Sequence, residues 1–537
     1  MDRSRVKGFL DVRGRRIVNG DGEEVLMNGW ALGNWLHSEG YMWLCDVSRF
    51  DRPRRMEAVI EELVGKGFAE KFWRRFRDNY VTEDDIQMMA EMGCNSVRIP
   101  INARLFMQEG PKLQFIDEGF QRLDKVLDWC ERSGLYAFID LHAAPGGQTG
   151  SNIDDCVDDV SRLFADQYQF DKGLALWEKL AERYADRWIV GGYELLNRPI
   201  RPVRFEGDVD LDGYIPRLVE FYEQCIARIR AHDEKHIIVL EGAHWGENTD
   251  IFDRTFDPKM VIGFHRYACV PDITSFKPFL EVSERLNVPL LLCTGENTLE
   301  WYSAVLPLAA SLDIGFSIWT WKKMGGENSP CLVREPEDWS LIVDYVNGGP
   351  HPGYERAEKT LNAFLNNVQI GQCGIFENIN ANVYLVPGCV IAGANFDEFP
   401  GPGQSYGYGG RAYPAVDYRR GTGMYIYRRF PERTKRVLFD GEWAQYVLRM
   451  SEGDFACYTL NEVTMHSGLE VNCYSDAPSV IEVYQDERRI GRYELSGTRH
   501  RQVLAGMRLE NAQRCAIKLQ VIEGTVDVDT LVTQADE

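Results

Sequence analysis

Short apolar runs recur along the first two thirds of the chain, and between them lie stretches whose apolar positions fall three and four residues apart. The runs at 25–29, 96–101, 135–141, 192–196, 237–241, 261–265, 290–293 and 315–320 predict β-strands. The intervening segments 117–132, 173–187, 218–231, 276–286 and 299–312 predict amphipathic helices, and a last helix over 354–366 closes the series. Strand and helix in alternation, eight times over, predict an α/β fold of the (β/α)8 TIM barrel type, whose site sits at the C-terminal ends of the strands. Beyond it the pattern changes to short alternating runs with Gly- and Pro-rich turns, such as Pro400-Gly401-Pro402-Gly403. The expected organisation is a barrel over 1–368, a linker over 369–379 and a C-terminal β-sandwich over 380–537.

Composition narrows the function classes. Sixty Lys and Arg against 82 Asp and Glu give a net charge of −22, so the field of the whole chain repels polyanions, and neither a nucleic-acid nor an anionic-membrane partner is expected. The longest apolar stretches, 288–292 and 305–310, fall far short of the roughly 20 residues of a membrane span. The charged N-terminus lacks the apolar core of a secretory signal, which makes a cytoplasmic location the expectation. Thirteen cysteines without CxxC spacing read as reduced, mostly buried thiols. The chain has no P-loop, strand-anchored dinucleotide fingerprint, HExxH or paired Cys/His spacing, so neither cofactor nor metal is expected. Oligomeric state is left open.

Polar and aromatic residues gather where the predicted strands stop: Arg98, His142, Asn197 with Arg198, His265 with Tyr267, Glu296, and Trp319 with Trp321. Recurrence at successive strand ends points to a site rather than to packing. The runs that carry these residues resemble glycoside hydrolase family 5, in particular its exo-β-glucanase-like and β-glucosidase-like members. They are Asn28-Gly29-Trp30-Ala31-Leu32-Gly33-Asn34-Trp35-Leu36, Val97-Arg98-Ile99-Pro100, Asp140-Leu141-His142-Ala143-Ala144-Pro145-Gly146-Gly147-Gln148-Thr149-Gly150, Tyr193-Glu194-Leu195-Leu196-Asn197, Phe264-His265-Arg266-Tyr267, Gly295-Glu296-Asn297-Thr298 and Ile318-Trp319-Thr320-Trp321-Lys322, in family order over about residues 10–367. A retaining enzyme of this type holds two carboxyls about 5–5.5 Å apart, one nucleophile and one acid/base. The resemblance implies supporting roles in sugar binding for Arg98, His142, Asn197, His265, Tyr267, Trp319 and Trp35.

Two departures stand at the chemically decisive positions. Where the family continues from Tyr-Glu-Leu-Leu-Asn to Glu-Pro, with that Glu as acid/base, this chain has Arg198-Pro199, and a guanidinium cannot deliver a proton at neutral pH. On the nucleophile's strand the chain reads Pro289-Leu290-Leu291-Leu292-Cys293-Thr294-Gly295-Glu296, one residue short, with Cys293 at or next to the nucleophile position. Glu296 fits two registers. Matched through Tyr302 it is the family's second, supporting Glu; matched on its own Gly-Glu it is the nucleophile two positions late, and it is the one acidic candidate near that position.

The expected function is accordingly recognition of a β-linked glycan or glycoside with ordinary retaining hydrolysis weak or absent. The alternative is an active hydrolase with relocated carboxylates, drawn from Asp154, Asp155, Glu241, Glu247 and Glu296 and inverting if they stand about 6.5–9.5 Å apart. A non-catalytic scaffold or assembly partner is the third reading. The C-terminal region resembles a family 6 or 35 carbohydrate-binding module in Asn395-Phe396-Asp397, Tyr418-Arg419-Arg420, Gly441-Glu442-Trp443-Ala444-Gln445-Tyr446 and Glu452-Gly453-Asp454-Phe455, with Tyr406, Tyr408 and Tyr413 as candidate sugar-stacking rings or loop anchors.

Overall fold

A computed structural model describes residues 5–204, 206–410, 412, 418–428 and 446–535. All eight expected barrel strands form: β1 (Asn28–Ala31), β2 (Ser96–Asn102), β3 (Tyr136–Ala143), β4 (Val190–Glu194), β5 (Ile237–Glu241), β6 (Met260–His265), β7 (Leu290–Gly295) and β8 (Gly315–Trp319). Each pairs parallel with the next, and β8 pairs with β1 to close the ring. Every residue of these strands is buried, which is why they read as continuous rather than alternating apolar runs.

The two ends of the barrel differ. At the N-terminal end, Leu10 and Ile17 of an antiparallel hairpin (Asp11–Arg13 with Arg16–Val18) pack with Val25, Met27, Tyr136, Phe138, Ile237, Val239, Val261 and Leu291 into an apolar plug. The Tyr136 hydroxyl fastens the hairpin by accepting from the Lys7 amide at 2.9 Å. The polar groups of the strands are thereby concentrated at the opposite, C-terminal end.

Local signals explain the helices. Asp117–Ser133 stops at Gly134, whose φ of 72° is the left-handed conformation of a C-terminal cap. Glu83–Glu91 starts with a capping box between Thr82 and Asp85. It is the last of three helices, after Pro53–Val64 and Lys66–Tyr80, that fill the long β1–β2 connection. They are held by an aromatic cluster in which Trp43 meets Phe72, Trp73, Phe76, Trp339 and Phe364 at centroid distances of 4.5–6.1 Å.

The chain divides into two compact units. The first is Met1–Arg266, Pro278–Gly295 and Ile314–Ile375, and it contains the barrel; the second is Tyr267–Lys277, Glu296–Asp313 and Phe376–Glu537. In the second, two antiparallel sheets make the C-terminal β domain. One runs Tyr425–Arg428, Tyr446–Ser451, Thr525–Gln534, Gly468–Tyr474, Gln502–Arg508, with Val390–Ala392 also on Thr525–Gln534; the other runs Tyr406–Gly407, Phe455–Val463, Ala512–Glu523, Pro478–Gln485, Arg488–Ser496. Alternate residues Cys515, Ile517, Leu519 and Val521 are buried, the period of two that marked these strands in the sequence. The helix Leu299–Ser311 belongs to this unit and is held there by Asn395, whose Nδ2 donates to the Glu300 carbonyl at 2.8 Å.

Candidate active site at the strand ends

The C-terminal ends of β2 to β7 bring Arg98, Asp140, His142, Glu194, Glu241, His265 and Cys293 together, with Asn197 just beyond β4. None of the eight is more than 3% exposed, so their hydrogen bonds must close on one another. Arg98 is the hub. Its Nε and Nη2 donate to Glu194 Oε2 and Oε1 at 2.7 and 2.6 Å, and Nη2 also reaches Asn197 Oδ1 at 3.0 Å and Asp140 Oδ2 at 3.1 Å. This is the planar bidentate pairing that only a guanidinium supplies.

Burial holds His142 well below the usual imidazole range, so the ring is neutral and its neighbours set the tautomer. Nδ1–H donates to Asp140 Oδ2 at 2.8 Å, and Nε2 accepts from Asn197 Nδ2 at 3.3 Å. His265 is likewise held low by burial; its Nδ1 accepts from Arg198 Nε at 3.1 Å, which leaves Nε2–H to donate to Glu241 Oε1 at 2.7 Å. The Trp319 ring lies flat on His142 at 4.9 Å between centroids and 8° between planes, and its indole N–H donates to the Tyr41 hydroxyl at 2.8 Å.

The carboxyls outnumber the cation at the centre. Burial pushes Asp140 well above the usual carboxyl range, Glu194 up to about 7, and Glu241 upward, all against the pull of Arg98. Glu194 and Glu241 stand within 4.8 Å of each other, so the charge of one disfavours ionisation of the other. Burial also pushes the Cys293 thiol well above its ordinary value, so it stays protonated and is a poor nucleophile.

The two departures from the resembling pattern are both placed. Cys293 pairs with His265 on β6 and Ser317 on β8, in regular register to the end of the strand. The next position but one, Gly295, has φ of 157°, and a Cβ there would stand 1.9 Å from the Trp319 carbonyl oxygen, so the strand end admits no side chain at that point. Arg198 adopts a left-handed backbone (φ 47°); its amide donates to Glu241 Oε2 at 2.8 Å, and its guanidinium bonds His265 as described.

Of the other candidates, Trp35 is buried and donates to the Arg77 carbonyl at 2.8 Å, beside a cavity of about 50 Å³ that Trp73 and Arg104 also line. Tyr267 and Glu296 fall in the second unit, where the Glu296 charge, after burial, helps push the Tyr302 hydroxyl upward. Asp154 accepts from the Thr149 amide and hydroxyl and the Cys156 amide, and Asp155 from Arg54, Asn102 and Arg104, so both staple loops. Glu247 is partly exposed between Arg204 and Arg266.

Residue-by-residue reading passed over Asp140 and Glu194 except as members of motifs. Asp140 lies two positions before His142 on β3 and so shares its face, a signal the strand period carries. Among the described residues, two donor sets have the spacing for a metal: His37, Glu39 and His142, and Glu194, Glu241, His265 and Cys293, each within 4.8 Å. In the second, Arg198 occupies the His265 Nδ1 lone pair and Arg98 holds Glu194, so a dication would have to displace both.

In the C-terminal domain the candidate sugar-binding residues form an internal knot. Tyr418 donates to Asn395 Oδ1 at 2.6 Å, buried Arg419 donates to the Phe396 carbonyl, and Tyr406 is buried against Phe396. Tyr408 is 42% exposed but lies over Gly423, where it holds the loop. Tyr413 and 441–445 lie outside the described residues.

Comparison with known proteins bears on the barrel. Residues 62–284 match the model of Cellulase (glycosyl hydrolase family 5). A Beta-xylosidase of Phanerodontia chrysosporium is 31% identical over 346 residues, 63% of this chain and 65% of that protein. A Glucan 1,3-beta-glucosidase of Candida oleophila is 29% identical over 231 residues, 41% of this chain and 51% of that protein. The chain thus spans between half and two thirds of the length of these relatives. A solved endogalactoceramidase aligns over 97% of this chain and 100% of its own at 14% identity and a TM-score of 0.46, too distant to bear on function. Among the described residues no helix is long and apolar enough to cross a membrane.

Proposed function

We propose that residues 62–284, which match the model of Cellulase (glycosyl hydrolase family 5), are part of a catalytic domain of that type, and that the protein binds a β-linked glycan or glycoside at the strand ends while ordinary retaining hydrolysis is weak or absent. One observation carries this reading: where the family resemblance puts the acid/base this chain has Arg198, and on the strand to which it assigns the nucleophile stands the protonated thiol of Cys293. Loss of a general acid costs about 10²- to 10⁴-fold in rate, and loss of the nucleophile closes the covalent route. His142 and Asn197 keep fixed hydrogen-bond directions and Trp319 lies flat on His142, the residue types that the resemblance assigns to sugar binding. The ligand class, β-glucosides and β-xylosides, follows the names of the relatives.

A second reading has its own support. Glu194 and Glu241 stand within 4.8 Å of each other, near the spacing of a retaining pair, and burial raises both, as the acid of such a pair requires. Their complete burial and their engagement with Arg98 and His265 oppose it. The test is incubation of aryl β-glucosides, β-xylosides and β-glucan oligosaccharides with the unaltered protein, Glu241→Gln, and the double reversion Arg198→Glu with Cys293→Gly-Glu, product anomers being followed by NMR. The proposal expects turnover in the reversion alone. Turnover by the unaltered protein that Glu241→Gln abolishes would establish the second reading instead.

A further inference from the structure

At the end of β4, where the resembling enzymes carry a carboxyl, this chain carries the guanidinium of Arg198, and the groups around it continue the change of sign. Trp245 follows β5 in a turn whose residues His244 and Trp245 both have left-handed backbones, φ 56° and 61°. Two such residues in succession are costly and persist only where the surroundings fix them. Here the Trp245 amide donates to the Pro199 and Ile200 carbonyls at 3.3 Å, on the segment that carries Arg198. The ring is thus held beside Arg198, whose guanidinium carbon lies 5.9 Å from it, while that of Arg204 lies over it at 4.4 Å. The indole N–H is buried without a hydrogen-bond acceptor.

Arg266, next after His265 on β6, brings a third guanidinium. Glu247 stands between Arg204 and Arg266 at 3.6 and 3.8 Å, too long for hydrogen bonds, with its side chain 37% exposed. A ligand oxyanion at 2.7–2.9 Å would form the stronger contact. On a chain of net charge −22 such a concentration of guanidinium groups is local, and the overall field would otherwise turn anions away.

We propose that these groups form an anion subsite at the mouth of the barrel, so that the preferred ligand is a β-glycoside bearing an oxyanion, with Arg198, Arg204 and Arg266 taking the charge and the Trp245 ring positioning Arg198 and Arg204. The proposal rests on the reading that the barrel binds a β-glycoside, and it deepens it. A carboxyl at position 198 would repel such a ligand; the guanidinium accepts it, which is specificity by reversal of charge. Carboxylate, sulfate and phosphate share this chemistry.

The test is isothermal titration of the full chain, at low and high salt, with methyl β-D-glucoside, methyl β-D-glucuronide, and methyl β-D-glucoside 6-sulfate and 6-phosphate. The expected result is at least about tenfold tighter binding of one or more charged sugars than of the neutral one, a preference that shrinks as salt rises. Which charged sugar leads identifies the group. Arg204 is partly exposed, so Arg204→Gln should fold normally and lose most of the preference while neutral-sugar affinity stays within about twofold; Arg204→Lys should recover part of it. Equal affinity for charged and neutral sugars would overturn the anion subsite and leave the glycoside reading standing. An undiminished preference in Arg204→Gln and Arg198→Gln would overturn the assignment to these residues. Failure of every sugar to bind would overturn both readings.

Discussion

Replacing Glu194 by glutamine should change the way stability depends on pH. Glu194 is fully buried at the end of β4, and burial, opposed by Arg98, pushes it from 4.5 up to about 7. Between those two values the folded protein binds a proton that the unfolded chain has released. Stability therefore falls as pH rises through this window, by about 1.4 kcal/mol per pH unit, and levels off above about 7. Over the whole window the decline is about 3 kcal/mol. Glutamine has no proton to lose, so the unfolding free energy of the parent minus that of Glu194→Gln should drop by about 3 kcal/mol between pH 4.5 and 7.5. The constant offset from changed hydrogen bonding to Arg98 cancels in the slope, and the same measurement on Glu241→Gln and on the double variant separates the Glu194 contribution from that of Glu241, to which it is coupled. Urea denaturation of both proteins at one-unit pH intervals, followed by tryptophan fluorescence, measures it. A difference that stays flat, or that grows with pH, would refute the argument, because it would mean that Arg98 keeps Glu194 an ordinary or strengthened carboxylate.

Other outcomes follow from the same geometry. Arg98→Met should destabilise the barrel by about 3–5 kcal/mol at pH 8, where Asp140 and Glu194 lose their shared cation, and by clearly less at pH 5, where both can protonate; denaturant midpoints at the two values check it. Lys322→Met should cost about 3–5 kcal/mol in the same assay, since Lys322 and Asp85 pair at 2.7 Å with no exposure. Trp319→Ala should weaken glycoside binding about tenfold by titration calorimetry and also destabilise the barrel by about 3–5 kcal/mol, because the ring is buried against His142 and donates to the Tyr41 hydroxyl. Twelve of the thirteen cysteines are buried and Cys269 is half-buried, so brief iodoacetamide treatment of the native protein should mark Cys269 first in a peptide map, with Cys293 untouched.

The barrel was legible because its strands are buried on both faces, and runs such as Leu290-Leu291-Leu292 admit no other placement between polar, amphipathic helices. Its hub was less legible. Arg98, His142 and Asn197 stand out as polar residues at strand ends, yet what makes them a unit is Glu194 and Asp140, whose carboxyls look like ordinary motif members until the strand period turns them inward. The engagement of Arg98 with Glu194, from β2 to β4, and of His265 with Glu241, between β6 and β5, depends on side-chain reach between strands distant in sequence, and no local pattern encodes that. The Trp245 turn was missed for a related reason: two consecutive left-handed residues without glycine give no sequence signal. In the C-terminal domain the aromatic-rich runs left sugar-stacking rings and loop anchors as alternatives for Tyr406 and Tyr408, and Tyr406 is buried against Phe396, a packing that no local pattern encodes.

The most direct test of the central claim is saturation-transfer NMR of 4-nitrophenyl β-D-glucoside and β-D-xyloside mixed with the unaltered protein, the same sample being followed for released nitrophenol over a day. Transfer to the sugar protons with no release above the protein-free control is the predicted result, a pocket that binds and does not cleave. Steady release of nitrophenol that scales with protein concentration would contradict it and show that the strand-end carboxyls still perform chemistry.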